Sequence, residues 1–398
     1  MIVLCVTGGS AQAIPVFARR YKTACTTCHV LPPQLNSFGQ AFRANGFRMP
    51  AGEGKRQEAD VQLGAPEWEG LFPNAFLPGT VSDSAPVAGL IYASVEADRG
   101  NVTTEETNLI LGLLSAGNIG QRASWFAAGG FGPRGGAIER MWASVDRLAG
   151  PWLNVRAGYF EAAVVPLSRY THKLSYEGYL PFEANGPAGL ALSASRTAVE
   201  VYGAGSDPGP LRGLQFAAGV AARPAGGGLA ADGYARLSYK LGGLAAAGDR
   251  SGEPGLLSPA VNPLEETSLR LGAYAYQATL GGPASRPRGW RAGGDADLYA
   301  GRFEAFATAW TGGDRLFEDG DESSTWAFLT GASVRPFPWL VAIGRYEASW
   351  VSGSEATRRL VATLRGALQQ NAAVTIDLVV DMPHADSTET VASLFLAF

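Results

Sequence analysis

The sequence predicts a mainly β chain: a transmembrane antiparallel β-barrel of about 16 strands behind a small N-terminal helical segment. Three observations predict it. From about residue 86 the apolar residues alternate with polar ones at period 2 in stretches of about ten residues, the length of a tilted membrane strand. The connections between these stretches alternate between short and long, as in outer-membrane barrels. Residues 1–50, by contrast, carry Arg19, Arg20, Lys22, Arg43 and Arg48 with no acid, a charge of +5, whereas the remainder holds 27 basic and 36 acidic side chains, −9.

Composition excludes other classes. Charged residues make up 17% of the 398, below the soluble norm of about a quarter. Gly (52) and Pro (24) are abundant, but below the level that signals disorder. A net charge of −4 gives no electrostatic footprint for nucleic acid. The longest uncharged runs, 1–18 and 23–42, are broken by Pro, Gly and polar residues, so a membrane-spanning helix is not supported. Three Cys without regular spacing exclude a disulfide scaffold.

Residues 1–13, MIVLCVTGGSAQA, form a short apolar run ending in Ala11-Gln12-Ala13, a small-x-small cleavage pattern, and are expected to be a signal peptide. Cleavage there removes Cys5 and leaves Cys25 and Cys28. Those two lie in Cys25-Thr26-Thr27-Cys28-His29, the C-x-x-C-H pattern of c-type haem attachment. Both thiols add to the haem vinyl groups and a helical turn aims the following imidazole at the iron. With three Cys and three His in the chain, chance produces this pattern with a frequency on the order of 10⁻⁴. A zinc half-site lacks two further ligands, and a thioredoxin-like motif lacks its βαβ frame. One covalent haem c is therefore expected, with His29 as proximal ligand.

Met49 is the candidate distal ligand, since Met141 and Met382 lie far away in sequence; an open site, or another ligand, is the alternative. His172 and His384 read as solvated loop residues. Phe17 and Tyr21 are helical i,i+4 neighbours. Leu35, Phe38 and Phe42 recur at helical spacing before an Asn45-Gly46 stop, predicting an amphipathic helix of about 12 residues. So few residues bury little core by themselves, so the haem or an enclosing partner must complete it. The segment is assigned to 14–60, a linker to 61–85 and the barrel to 86–398.

The strand candidates are 87–97, 106–114, 120–131, 137–147, 152–161, 195–204, 211–222, 231–241, 267–280, 292–300, 302–311, 324–335, 340–350, 358–366, 374–382 and 388–398. The segment 242–250 either adds one or extends its predecessor. In 152–161, Leu153, Val155, Ala157 and Tyr159 oppose Asn154 and Arg156; in 374–382, Val374, Ile376 and Leu378 oppose Thr375 and Asp377. The connections at 149–151, 336–338 and 369–371 are short, and those at 98–105, 162–194, 312–323 and 383–387 longer. Phe398 suits an aromatic girdle. Arg140, Asp146, Arg156, Arg345, Glu347, Asp377 and Asp381 are expected to face a solvated lumen. An acidic lumen would hold the +5 segment as a plug, and its five charges around the haem would raise the reduction potential.

A single haem motif followed directly by a barrel resembles the fused monohaem cytochrome c–porin family of bacterial outer-membrane iron oxidases. The resemblance lies in Phe17-Ala18-Arg19-Arg20-Tyr21, Cys25 to His29, and the run from Pro33-Gln34-Leu35 through Phe42-Arg43-Ala44-Asn45-Gly46. In the barrel it lies in 154–161, NVRAGYFE, and 235–244, ARLSYKLGGL. It implies an outer-membrane electron conduit. Single electrons pass from extracellular ferrous iron, or another donor, through a haem held by Cys25, Cys28 and His29, with Met49 as distal ligand, to a periplasmic cytochrome. The haem segment would sit in the lumen or the periplasm, with lipid around the barrel. If this is an enzyme, it is an oxidoreductase of the Fe(II):cytochrome c reductase type. A diffusion porin with a haem plug or sensor, and an outward-directed conduit for extracellular respiration, are the competing classes. No nucleophile, acid–base pair or phosphate loop points to a hydrolase or transferase.

Overall fold

The computed structural model describes residues 16–21, 23–53, 60–63, 79–82, 86–98, 101–102, 108–133, 135–183, 190–225, 228–251, 265–279, 288–315, 322–369, 371–382 and 388–397. The expected signal peptide with Cys5, Lys22, most of the linker, His384 and Phe398 lie outside the described residues.

The alternating stretches form a closed antiparallel barrel of 16 long strands. In chain order they are β1 Val87–Asp98, β2 Asn108–Ile119, β3 Ala123–Gly132, β4 Gly135–Val145, β5 Asn154–Glu161, β6 Ser195–Ala204, β7 Leu214–Ala225 and β8 Gly228–Gly242. They continue as β9 Thr267–Ala278, β10 Arg288–Ala300, β11 Phe303–Arg315, β12 Ser323–Phe337, β13 Leu340–Val351, β14 Thr357–Gln369, β15 Ala372–Met382 and β16 Thr388–Ala397. Each strand pairs with its sequence neighbour, and β16 closes on β1 from Ala397↔Leu90 to Glu389↔Asp98. Closure leaves no open edge, the condition for a sheet in hydrocarbon. Every strand candidate overlaps one of these. The 242–250 stretch past Gly242 adds none; its Ala245, Ala246 and Ala247 are buried in a turn.

The period-2 pattern decides which face is which. Leu111, Leu113, Val199, Val220, Leu237, Ile376 and Leu378 stand exposed on the outside. Aromatic pairs stand toward both ends: stacked Trp326 and Trp350 toward one, stacked Phe337 and Trp339 toward the other. An apolar belt between two aromatic girdles is the exterior of a bilayer-spanning barrel. No helix among the described residues is long and apolar enough to cross a membrane.

The inner face is not the solvated lumen expected from sequence. Asp146, Arg156, Arg345, Glu347 and Asp377 point inward but are buried. Arg156 pairs with Glu200 at 2.7 Å, Arg345 with Glu347 at 2.6 Å and Arg48 with Asp146 at 2.9 Å. The Arg140 guanidinium lies 3.5 Å from the Tyr170 ring centre. Water is displaced because two pieces of chain fill the barrel: the N-terminal segment and the connection between β5 and β6. Their Phe38, Phe42, Phe47, Leu167 and Phe182 pack with inward-facing Trp142, Phe160, Tyr234, Tyr274, Phe306 and Trp310 of the strands. The hydrophobic core of the protein thus lies inside the barrel.

The 149–151, 336–338 and 369–371 connections share one end, and the longer ones named from sequence share the other. Two further connections at the short-turn end, 205–213 and 243–266, are long as well. Both reach the N-terminal segment's neighbourhood: Asn45 Nδ2 donates to Ala247 O at 2.7 Å, and Ala247 N to Gly205 O.

Candidate functional site

The N-terminal segment enters at the short-turn end and is gripped there on all sides. α1, Val16–Tyr21, leads into a 3₁₀ turn at Cys25–Thr27, and α2 spans Ser37–Ala44. Between them His29–Leu31 pairs with Gln34–Leu35 around Pro32-Pro33. The predicted 12-residue helix is shortened to eight because Asn36 caps it: its Oδ1 accepts from Gly39 N at 2.9 Å. Leu35 is consequently in the short strand rather than the helix. The Asn45-Gly46 stop is as expected, with Gly46 at φ +66°.

Asn36 does more than cap. Its Nδ2 donates to Thr26 O and Thr27 O at 3.1 and 3.0 Å, and its backbone N donates to Cys28 O at 3.0 Å. One side chain therefore ties the start of α2 to the C-x-x-C turn. The sequence signal for this was the Asn36-Ser37-Phe38 helix start, which was read as part of an uninterrupted helical pattern.

Cys25, Cys28, His29 and Met49 line one cavity of ≈ 390 Å³, within the range of small-molecule sites. Its walls are chiefly apolar, including Phe17, Phe38, Phe42, Leu90, Ile110 and Trp142. Cys25 is buried and Cys28 half-buried. Burial pushes the Cys28 thiol up to about 12, with the neighbouring Cys25 adding to the shift. Burial pushes the His29 imidazole down to about 4; the Pro33 and Gln34 backbone opposes this only weakly, and no well-formed hydrogen bond reaches the buried Nδ1. The ring is therefore neutral at physiological pH, the form that ligates a metal. Met49 is 2% exposed. Its backbone N donates to Glu53 at 3.2 Å, and Glu53 also accepts from the Tyr21 hydroxyl at 2.8 Å, which fixes the turn carrying the thioether. Two thiols one turn apart, a neutral imidazole and a thioether around a chiefly apolar cavity are a donor set that fits a covalent haem.

The charges nearest this cavity differ from those expected. Arg48 is neutralised by Asp146, Arg20 lies 3.9 Å from Glu53, and Arg19 hydrogen-bonds Val87 O. Of the five basic residues counted in sequence, Arg43 alone is a described cavity-lining charge, and burial beside Arg156 and Arg140 pushes it down to about 10. Arg140 from β4 and Arg169 from the β5–β6 connection join it, with Glu139. Neither was assigned to the site from sequence, because only the fold brings residues more than 100 positions away to the motif.

His172, read as a solvated loop residue, is buried. Its Nδ1 lies 2.6 Å from Tyr179 Oη and its Nε2 2.9 Å from Glu304. The β5–β6 connection crosses the lumen rather than facing solvent: Trp310 donates to Pro181 O, and Leu180 N to Glu347. It also touches the N-terminal segment, since Leu35 N donates to Thr171 O at 2.8 Å.

The fold is that of outer-membrane porins, the class of closed 16-strand antiparallel barrels. The chain is similar to an anion-selective porin from Comamonas acidovorans, with a TM-score of 0.56 and 14% identity over 78% of this chain and 98% of that one. It is also similar to OmpF of Salmonella typhi, solved in complex with daunomycin (TM-score 0.53, 11% identity, 78% and 97% covered), and to a loop-deletion variant of OmpT of Vibrio cholerae (0.51, 8%, 78% and 98%). The 78% amounts to about 310 residues, the length of the stretch from Val87 to Ala397. No family model matches the sequence, and no curated protein matches it.

Proposed function

We propose that the protein is an outer-membrane electron conduit of the fused cytochrome–porin type. It takes single electrons from an extracellular donor, ferrous iron foremost, through one covalent haem c, and passes them to a periplasmic carrier cytochrome. The observation that carries this reading is the convergence of Cys25, Cys28, His29 and Met49 on one apolar cavity inside the barrel. When bound, the haem supplies a one-electron couple whose potential follows axial ligation, burial and neighbouring charge.

The chain's own residues then have definite tasks. Cys25 and Cys28 would hold the porphyrin by thioether bonds, and His29 and Met49 would supply a neutral nitrogen and a soft thioether to the iron. Arg43, Arg140 and Arg169 supply counter-charge for the two propionates, which arginine meets through paired N–H donors. The packed β5–β6 connection keeps bulk water from the site, which strengthens every charge interaction in it. Short turns face the periplasm in bacterial barrels, so the segment's end of the barrel is the end that meets a periplasmic carrier.

The filled lumen weighs against the diffusion-pore reading, which the porin neighbours would otherwise favour. The deciding experiment is a redox titration of the purified haem-loaded protein with ferrous iron as donor. Reduction of the haem by ferrous iron is expected. Refusal of those electrons combined with steady ion conductance in planar bilayers would overturn the reading in favour of a pore, and a low potential in favour of an outward-directed conduit.

A further inference from the structure

We propose that His172, Asp297 and Glu304 form a divalent-metal site that takes the ferrous ion inside the barrel, next to the cavity of the haem motif; this deepens the electron-conduit reading and rests on it. One nitrogen and two carboxylate groups from the β5–β6 connection, β10 and β11 offer ligand atoms that all lie within 4.8 Å of one another, and all three residues are buried. Bonds of about 2.0–2.2 Å place two ligands of one ion no more than about 4.4 Å apart, so the three groups need only a small closing to share an ion.

Three further observations point to a cation. Asp297 Oδ2 is answered by Arg270 at 2.6 Å, but Asp297 Oδ1 is buried without a hydrogen-bond partner in a side chain only 2% exposed. Glu304 has no Lys or Arg partner among the described residues; it accepts from Gln34 and Ser333 and faces His172. Two buried carboxylates therefore share one guanidinium, and a buried negative charge needs a further positive one. Finally, the Tyr179 hydroxyl 2.6 Å from His172 Nδ1 can accept that N–H, which turns the Nε2 lone pair toward Glu304. A partner on the remote nitrogen is how a metal-binding imidazole is oriented.

The mixed imidazole and carboxylate set suits a first-row divalent ion such as Fe(II) or Mn(II) and leaves positions open for water. A cavity of ≈ 220 Å³ lined by His172, Arg270 and the carboxylates of Glu161 and Glu200 adjoins the site. The site is joined to the haem motif's segment by Gln34 Nε2, which donates to Glu304 at 2.9 Å. Thr171, next to His172, lines both cavities. The step balances simply: Fe(II) becomes Fe(III), its one electron reduces the haem iron from ferric to ferrous, and no bond of the chain is made or broken.

The test is equilibrium dialysis of the full-length, haem-loaded protein in detergent against Co(II), which does not reduce haem, with bound metal counted by elemental analysis. One Co(II) per chain is expected in the wild type, weakened at least tenfold in both Asp297→Asn and His172→Gln. Absence of binding in the wild type overturns the site regardless of how the variants fold, as does unchanged binding in a folded variant. A second measurement separates the two readings: haem reduction by Fe(II) should slow at least tenfold in Asp297→Asn while reduction by dithionite keeps its rate. Equal Fe(II) rates in wild type and variant sink the site and leave the conduit standing. Stoichiometric Co(II) without any Fe(II)-driven reduction sinks the conduit and leaves a metal site.

Discussion

Gly39 lies against the carbonyl of Cys28: a Cβ at position 39 would fall 2.1 Å from Cys28 O. α2 therefore crosses the haem motif at backbone contact, and only glycine permits it. Gly39→Ala must push the helix away or bend the Cys28 peptide. It should cost about 1–3 kcal/mol, the usual penalty of overpacking. Denaturant unfolding followed at the Soret band measures this; a midpoint equal to wild type would mean that the contact relaxes freely.

Under the proposed function, covalent attachment rests on Cys25 and Cys28 alone. Replacing both Cys25 and Cys28 by Ala should abolish the haem band in denaturing gels while the protein retains β-type circular dichroism and heat-modifiable mobility. The barrel strands satisfy their own backbone groups, so they do not need the haem to insert. A haem-stained band in the double variant would refute the attachment.

Met49→Ala tests the distal ligand. A neutral, soft thioether favours ferrous haem and raises the potential. Its loss should remove the weak near-infrared sulfur-to-iron band and lower the potential, with covalent attachment intact. An unchanged spectrum would reduce Met49 to a packing residue on the cavity wall.

Arg48 and Asp146 form a buried ion pair at 2.9 Å, with Asp146 also accepting from Ser124 and Ser144. Asp146→Ala strands the arginine and should cost about 3–5 kcal/mol, whereas the paired replacement Arg48→Met with Asp146→Leu should cost far less. The thermal midpoint of the Soret change distinguishes them. Equal midpoints for the single and the double variant would mean the pair does not anchor the segment.

The outer belt predicts a depth-dependent penalty. Ile376, exposed at mid-strand in β15, should lose about 2–4 kcal/mol on Ile376→Arg if the belt stands in hydrocarbon. Reversible folding into lipid vesicles gives the value; a change near zero would remove the belt from the bilayer.

The barrel was legible because its information is local. Val374, Ile376 and Leu378 against Thr375 and Asp377 declare two faces within five residues, and each strand pairs with its chain neighbour, so sequence order is also spatial order. The C-x-x-C-H pattern is local in the same way: Cys25, Cys28 and His29 are held together by spacing along the chain, and the haem they would bind belongs to the proposed function. What fills the barrel was not legible. The period-2 pattern says that Glu347 and Asp377 point inward but carries nothing about what meets them, so a solvated lumen was the expectation. Only the tertiary structure brings Leu180 N to Glu347 and Tyr176 N to Asp377. His172 looked like an ordinary loop residue because its partner Glu304 lies 132 positions away. Contacts of that separation are decided by closure of the barrel, which fixes the interior volume and therefore which segments must fold into it. The sequence determined the wall of the barrel, because alternation and neighbour pairing are local, while the folded chain decided what fills it.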